Sequence, residues 1–432
     1  ENKIDKHTDH EVPSVAIIPF DNKGADEDVF YSYGISADLI SDCSSAGLIR
    51  VAGLKDIEKL DYNNLKYEEL SQKLLVRYIA QGTLWKAGDM FQLSIELYDT
   101  KESKVIWSDR WQEDWDNLPT IKSNLFDGVL KAFNLRSVMK ERVDTTHTEA
   151  YEFYLKGKYR FEKRANKEDT EIARGFYKKA IELDENLIMA KIWLAWSYFL
   201  QGDNIKALEI HHQSLNQAKK HCDKQGIGYS LNGIASVVLA TKEYEKALDY
   251  YQRSLEMGYE TDDKWRIAGS LSNIGNVYKL KGDFDKALDY TTQSIKIREK
   301  YGEMSHLGSW SITIGEIHLH KGDFDKALEN LNFALEKQDG IDKHWLAWLY
   351  YNLGYYYFRN NKNENAIEYF ERSLNIQNDI SEKTNHSETS ILLDLVYKKM
   401  DIKYNEKIIH QFINQEEREY EYYINFALYQ LS

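Results

Sequence analysis

Cysteine and proline are scarce in this chain of 432 residues, with two of the first and three of the second. Cys43 and Cys222 stand far apart, with no partner at metal or redox spacing, so neither a zinc site nor a thiol-redox motif is expected. A disulfide between them would require two different units of the chain to touch. So few prolines remove the usual helix breakers and suit long helices. No window reaches the roughly 18 unbroken apolar residues that a membrane helix needs, so this region is not expected to insert into a bilayer. Positive charge is also short: 56 Lys and Arg against 70 Asp and Glu leave a formal charge of −14, which argues against a nucleic-acid groove. The start lacks the pattern of a signal peptide, yet Glu1 is not a natural initiator. The protein is therefore expected to continue upstream, in the cytoplasm or the periplasm, and a membrane span could lie there.

Chemistry-bearing motifs are missing as well. No phosphate loop, dinucleotide fingerprint, zinc-protease helix, nucleophile elbow or cyclase metal pair can be assembled, so no enzyme activity and no cofactor are expected of this region. His7, His10 and Glu11 look like metal ligands on paper, but nothing in a polar tail preorganises them. His211, His212 and His318 fall inside helical patterns and read as packing residues.

What the chain does have is a repeat. Gly282-Asp283-Phe284-Asp285-Lys286-Ala287-Leu288-Asp289 returns almost letter for letter from Gly322 to Glu329. Weaker copies place alanines at 207, 247 and 366, so that the alanines step by 40 and finally by 39. A fixed period of this length, without spacers, is the mark of a solenoid of helix pairs. Aromatic residues are abundant, with 31 tyrosines and 10 tryptophans.

The part before the repeats reads differently. An apolar strand is expected over 15–18, a helix over 30–44 with Tyr33, Ala37, Ile40 and Ser41 on one face, a strand over 48–51 and a helix over 67–75. A meander follows, with strands over 78–85 and 91–99 and a last one starting at Val105, and a helix over 118–133 covers one face. The order βαβαβββα is a small α+β domain. Four segments, Val15-Ala16-Ile17-Ile18-Pro19-Phe20, residues 30–40, Tyr78-Ile79-Ala80-Gln81-Gly82-Thr83 and Val105-Ile106-Trp107-Ser108, resemble the TolB-amino-terminal-like domain of bacterial signalling proteins. The stretch between Val51 and Leu74 departs from that family's pattern. The resemblance implies no catalytic residue in this domain. It does imply an output module upstream, such as a class III nucleotide cyclase, a membrane-anchored winged-helix activator or a kinase.

From Thr148 on, the repeats resemble tetratricopeptide repeats. Small residues recur at the eighth place (Gly157, Ala195, Ala235, Gly275, Gly315, Gly354) and alanine recurs in the second helix, which lets two helices approach closely. The step from Ala173 to Ala207 is the family's usual 34 residues, and the later step of 40 resembles its long-repeat subfamily of peptide-binding regulators and cargo adaptors. The expected organisation is a tail over 1–12, the α+β domain over 13–136 and a connector over 137–147. Six helix pairs over 148–377 then form a right-handed superhelix, closed by capping helices over 378–432, at 391–399, 406–414 and 419–431.

In peptide-binding relatives of this fold, asparagines at the sixth and ninth places hold the main chain of an extended ligand. Asn273 and Asn352 occupy the sixth place and Asn276 the ninth. Asn232 stands one place earlier than the sixth, and Thr313 interrupts the series. A carboxamide suits this task because it both donates and accepts. Trp348, Tyr351, Tyr355 and Phe358 fall at places that either line the concave surface or pack against the next helix pair. The expected partner is a peptide or protein segment, or the chain's own copy in a homodimer. The leading reading is a non-catalytic sensor or adaptor that regulates an output module, and the alternative is a free-standing scaffold that assembles a complex.

Overall fold

The computed structural model describes residues 12–135, 145, 147–301, 307–338, 341–379 and 383–403. The tail with His7, His10 and Glu11, most of the connector, and the capping helices expected at 406–414 and 419–431 lie outside them.

The amino-terminal domain runs β1 (Ser14–Ile17), β2 (Asp21–Asn22), α1 (Val29–Ala46), β3 (Arg50–Val51), α2 (Leu54–Glu58), α3 (Tyr67–Leu74), β4 (Tyr78–Ala87), β5 (Met90–Asp99), β6 (Lys104–Asp114) and α4 (Leu118–Ala132). The strands line up as β3-β1-β4-β5-β6, and β2 also pairs with β4. β1 is parallel to both β3 and β4, whereas β4, β5 and β6 form the antiparallel meander. The expected elements are all present. Beyond them stand the two-residue β2 and the short α2, the latter in the stretch between Val51 and Leu74 where the family pattern lapses. β5 shows why the sheet has two unlike faces: Phe91, Leu93, Ile95 and Leu97 are buried, and the residues between them are half-exposed. The buried face packs with Leu39 of α1 and with Ile121, Leu125 and Val129 of α4. On the other face, Tyr67 of α3 donates to Gln81 at 2.6 Å and Tyr98 donates to Glu68 at 3.0 Å.

α1 corrects one expectation. It is not a helix with a single buried face, because residues 30–40 are buried without a break while Ser41, assigned to the covered side, is exposed. A helix buried all round must be covered on both sides. The sheet supplies one cover and the first repeat helix supplies the other.

The helix pairs are α5 (Thr148–Glu162) with α6 (Lys167–Leu183), α7 (Ile188–Phe199) with α8 (Asn204–Lys220), α9 (Lys224–Ala240) with α10 (Tyr244–Thr261), α11 (Lys264–Leu280) with α12 (Phe284–Tyr301), α13 (Leu307–Lys321) with α14 (Phe324–Glu336), and α15 (Lys343–Arg359) with α16 (Asn363–Asp379). α17 (Lys383–Lys399) follows, longer at its start than the helix expected from 391. Among the described residues no strand occurs after Asp114. The repeated Gly-Asp now has a physical reading. Gly202, Gly282 and Gly322 turn the chain between the helices of a pair at φ of +82°, +79° and +81°, the left-handed region where a side chain is strained. Asp203 then caps the next helix, its carboxylate accepting the Lys206 backbone N–H.

A second device recurs at the same register. Ser254, Ser294 and Ser373 each donate from the second helix to the carbonyl of Gly228, Ala268 and Ala347 at the start of the first, at 3.0, 2.7 and 2.8 Å. The small eighth-place residues do sit at close approaches. A Cβ on Gly157 would stand 2.6 Å from the Tyr177 ring, and one on Gly354 would stand 2.6 Å from the Phe370 ring.

The chain divides into two compact units. The first comprises everything to Lys281 and takes back α12 from Asp289, and the second takes Gly282–Leu288 and the chain from α13 onward.

Candidate functional site

The face of each pair's first helix that carries the second, fifth, sixth and ninth places is the surface on which a ligand is expected. In the first repeat that face is already taken. Tyr151, Tyr154 and Lys158 of α5 are 1%, 2% and 8% exposed, and α1 covers them. Asp38 of α1 accepts from the Tyr151 phenol at 2.9 Å and forms an ion pair with Lys158. Gly34 permits the approach, since a Cβ there would lie 2.7 Å from Leu155. Tyr33 meets Tyr159 edge-on at 5.3 Å, and burial pushes its phenol pKa up. The far end of α1 reaches α11, where the stem of Lys264 lies across Gly47.

The same face is open further along the first unit. On α9 and α11, Asn273 donates through Nδ2 to Oδ1 of Asn232 at 2.9 Å, which joins the two helices. Each amide is half-buried. Their bond leaves an acceptor oxygen on Asn273 and amide hydrogens on Asn232 as capacity for a peptide unit. Asn276 is exposed one turn on. Trp265 lies three turns before Asn276 on the same face, is 45% exposed, and has the Arg298 guanidinium 5.3 Å from its ring centre. Between them, a Cβ on Gly269 would meet nothing within 4 Å, so the surface there is a shallow gap.

A buried polar clamp fixes the spacing of the two helices. Asp263 caps α11 by accepting the Arg266 N–H at 2.9 Å, pairs with the Arg266 guanidinium at 3.2 Å, and is 1% exposed. The same guanidinium stacks 3.8 Å above the Tyr229 ring, over the space that Gly228 leaves by having no side chain. Sequence reasoning missed Trp265 and this clamp. The signal was present, because 265, 269 and 276 recur at helical spacing on the face that already carries the asparagines.

The second unit corrects the other candidates. Tyr351, Asn352 and Tyr355 are 1%, 0% and 0% exposed, in one core with Phe358, Phe370 and Leu392, Leu395 and Val396 of α17. The Asn352 amide donates to the carbonyl of Trp348 in its own helix at 2.8 Å, and the Tyr355 hydroxyl accepts from Arg359 at 2.8 Å. Half-buried Trp348 stacks on Tyr351 at 4.8 Å and donates to Glu316 at 3.2 Å. Tyr351, Asn352 and Tyr355 offer a ligand no free surface, and the half-buried Trp348 ring is already engaged by Tyr351 and Glu316. The aromatic run packs, because α17 continues the stack and covers it.

Two of the three histidines are packing residues, whereas His212, expected to be a third, is exposed on α8 because the helix turns its neighbour His211 to the core instead. His211 is fully buried, edge-on to Trp196 at 5.8 Å, with its ring where any side chain on Gly233 would have to be. Burial lowers its pKa to about 4. His318 is buried beside Asp323, its pKa lowered by burial. Cys43 and Cys222 are both free, the first buried and the second exposed. Among the described residues no group of three or more His, Cys, Asp or Glu could hold a metal ion, and no helix is long and apolar enough to cross a membrane.

Residues 187–260 and 306–379 match one family model of the tetratricopeptide repeat, and residues 270–305 match a second. The helix pairs over these stretches are tetratricopeptide repeats. A curated relative, "Putative adenylate cyclase 3" of Rhizobium meliloti (strain 1021), is 21% identical over 223 residues, which is 50% of this chain and 38% of the relative. The match thus spans well under half the length of that protein. Among solved structures, the apo form of RapI gives a TM-score of 0.50 at 16% identity, over 65% of this chain and 97% of that one. Aspartyl phosphate phosphatase F from Bacillus subtilis gives 0.49 at 18% identity, over 67% and 80%. At 16% identity the likeness to RapI speaks for the fold alone.

Proposed function

We propose that this region is the non-catalytic regulatory part of a larger signalling protein, and that it binds an extended peptide or protein segment on the α9–α11 face. The observation that carries the reading is the Asn232–Asn273 amide pair beside exposed Asn276 and Trp265 over the gap at Gly269. Amides serve main-chain groups of any sequence, and a tryptophan adds contact area at low entropy cost. The output module is upstream, a nucleotide cyclase or a DNA-binding domain. The relative named as an adenylate cyclase and the TolB-like resemblance of residues 13–136 both favour that arrangement. α1 is the connecting element in this reading, because it packs along α5 and touches the start of α11, the helix that carries the ligand residues.

Site-specific crosslinking tests the reading. A photoreactive residue at Asn276 should capture the partner, and one at exposed Glu256 on α10 should not. Equal capture at both positions, or capture only at Glu256, would refute the assignment of the binding face.

A further inference from the structure

Among the described residues β6 ends the sheet and no strand pairs with its outer edge. Along it only Trp107, Trp111 and Glu113 are half-buried, and Val105 and Ile106 are 45% and 39% exposed. An edge of 11 residues presents a row of free N–H and C=O groups, a template for another strand. Two features restrain it. Leu97 pairs with Trp107 while Tyr98 pairs with Val105, so Ile106 is the extra residue of a bulge. The Asp109 carboxylate also accepts the Arg110 backbone N–H at 2.8 Å, which puts that N–H on the open side of the strand.

We propose that this edge pairs with β6 of a second copy of the chain, antiparallel, about a two-fold axis at Asp109. The phase follows from Arg110. Its N–H faces outward, so those of Ser108 and Gln112 do too, and antiparallel neighbours must face each other alike. Even-numbered residues therefore pair with even-numbered ones in the regular stretch beyond the bulge, and a two-fold axis must pass through a residue. With the axis at Asp109, Trp107 stands opposite Trp111 of the second copy, on the face where both rings pack near Gly128. Ser108 then stands opposite Arg110, and Lys104 comes to the acidic end formed by Glu113 and Asp114. Moving the axis to Arg110 would set that arginine against itself and Trp107 against Glu113. Moving it to Ser108 would set Trp107 against Asp109 and push Arg110 into the bulge.

The favoured register has one flaw, since Asp109 faces its own copy and like charges directly opposite destabilise a pair. Asp109 is thus a guard on the edge. It occupies an outward N–H and holds self-association in check. A contact of one strand per copy belongs to the small, weak class of interfaces, so the dimer is reversible and concentration-dependent.

Sedimentation velocity on the full chain over a concentration series tests this directly. The unmodified chain should show a weak dimer, and Asp109→Asn should tighten it by roughly fivefold. Ser108→Pro removes an outward N–H that the sheet itself does not use, so the melting temperature should hold while the dimer is lost. Arg110→Glu, on an exposed side chain, should also abolish the dimer and guards against a folding defect in the proline variant. A monomeric Asp109→Asn chain at every concentration would overturn the proposal. So would a dimer that Arg110→Glu leaves untouched.

Discussion

Asp38 of α1 and Lys158 of α5 form a buried ion pair, 6% and 8% exposed, that ties the amino-terminal domain to the first repeat. The Tyr151 hydroxyl satisfies the second carboxylate oxygen at 2.9 Å. Lys158 sits at a place that faces ligand in peptide-binding repeats, so here α1 stands where a ligand would.

Removing one partner of this pair should be costly. Asp38→Ala leaves an ammonium buried without a counter-charge, and chemical denaturation should show a loss of about 3–5 kcal/mol. Asp38→Leu with Lys158→Met should recover much of it, because replacing both charges removes the desolvation penalty. Strictly additive losses in the double variant would show that the two side chains do not act as a pair.

His211 sets a pH dependence. Burial lowers its pKa to about 4 from an ordinary 6.5. Between those values the unfolded chain binds a proton that the folded chain refuses, so stability is complete above 6.5 and falls as pH drops towards 4. The total is about 3 kcal/mol, of which about 2 kcal/mol should appear between pH 7 and pH 5. His211→Phe keeps a ring over Gly233 and should remove that share of the slope. Denaturation at the two pH values decides it, and equal slopes in the two proteins would place the proton elsewhere.

Two glycines should respond with opposite signs. A Cβ on Gly315 would lie 2.9 Å from Leu331 Cγ and 3.3 Å from the Ala327 carbonyl. Gly315→Leu should therefore overpack α13 against α14 and cost roughly 1–3 kcal/mol. Gly175, exposed on α6, has open space around a Cβ, and Gly175→Ala should stabilise by about 0.5–1 kcal/mol through lost freedom in the unfolded chain. Thermal melting reads both, and a neutral Gly315→Leu would contradict the close-packing assignment.

Much of the fold was legible because period and alternation are local. The step of 40 set the helix pairs, Gly282-Asp283 set the turn, and alternation over 91–99 set β5. What covers a face was not legible. Ser41 and Ala37 look alike on a helical wheel, but α5 buries one side of α1 and leaves Ser41 exposed. Tyr351 and Tyr355 have the spacing of ligand residues and of core residues alike, and α17 decides for the core. The serines at 254, 294 and 373 were visible as a periodic residue, yet only the structure shows each bonded to a carbonyl 26 residues earlier. Asn232 and Asn273 stand 41 residues apart in the sequence, and only the fold joins them.

On the proposed function, the α9–α11 face holds an extended polypeptide through its amides. Titration calorimetry with the best peptide from an array screen, against the unmodified chain and a folded Asn273→Ala, Asn276→Ala double variant, tests it most directly. The double variant should lose roughly 1–3 kcal/mol, from about fivefold to more than a hundredfold in affinity, because peptide groups are left unpaired in the bound state. An unchanged affinity in the double variant would contradict it.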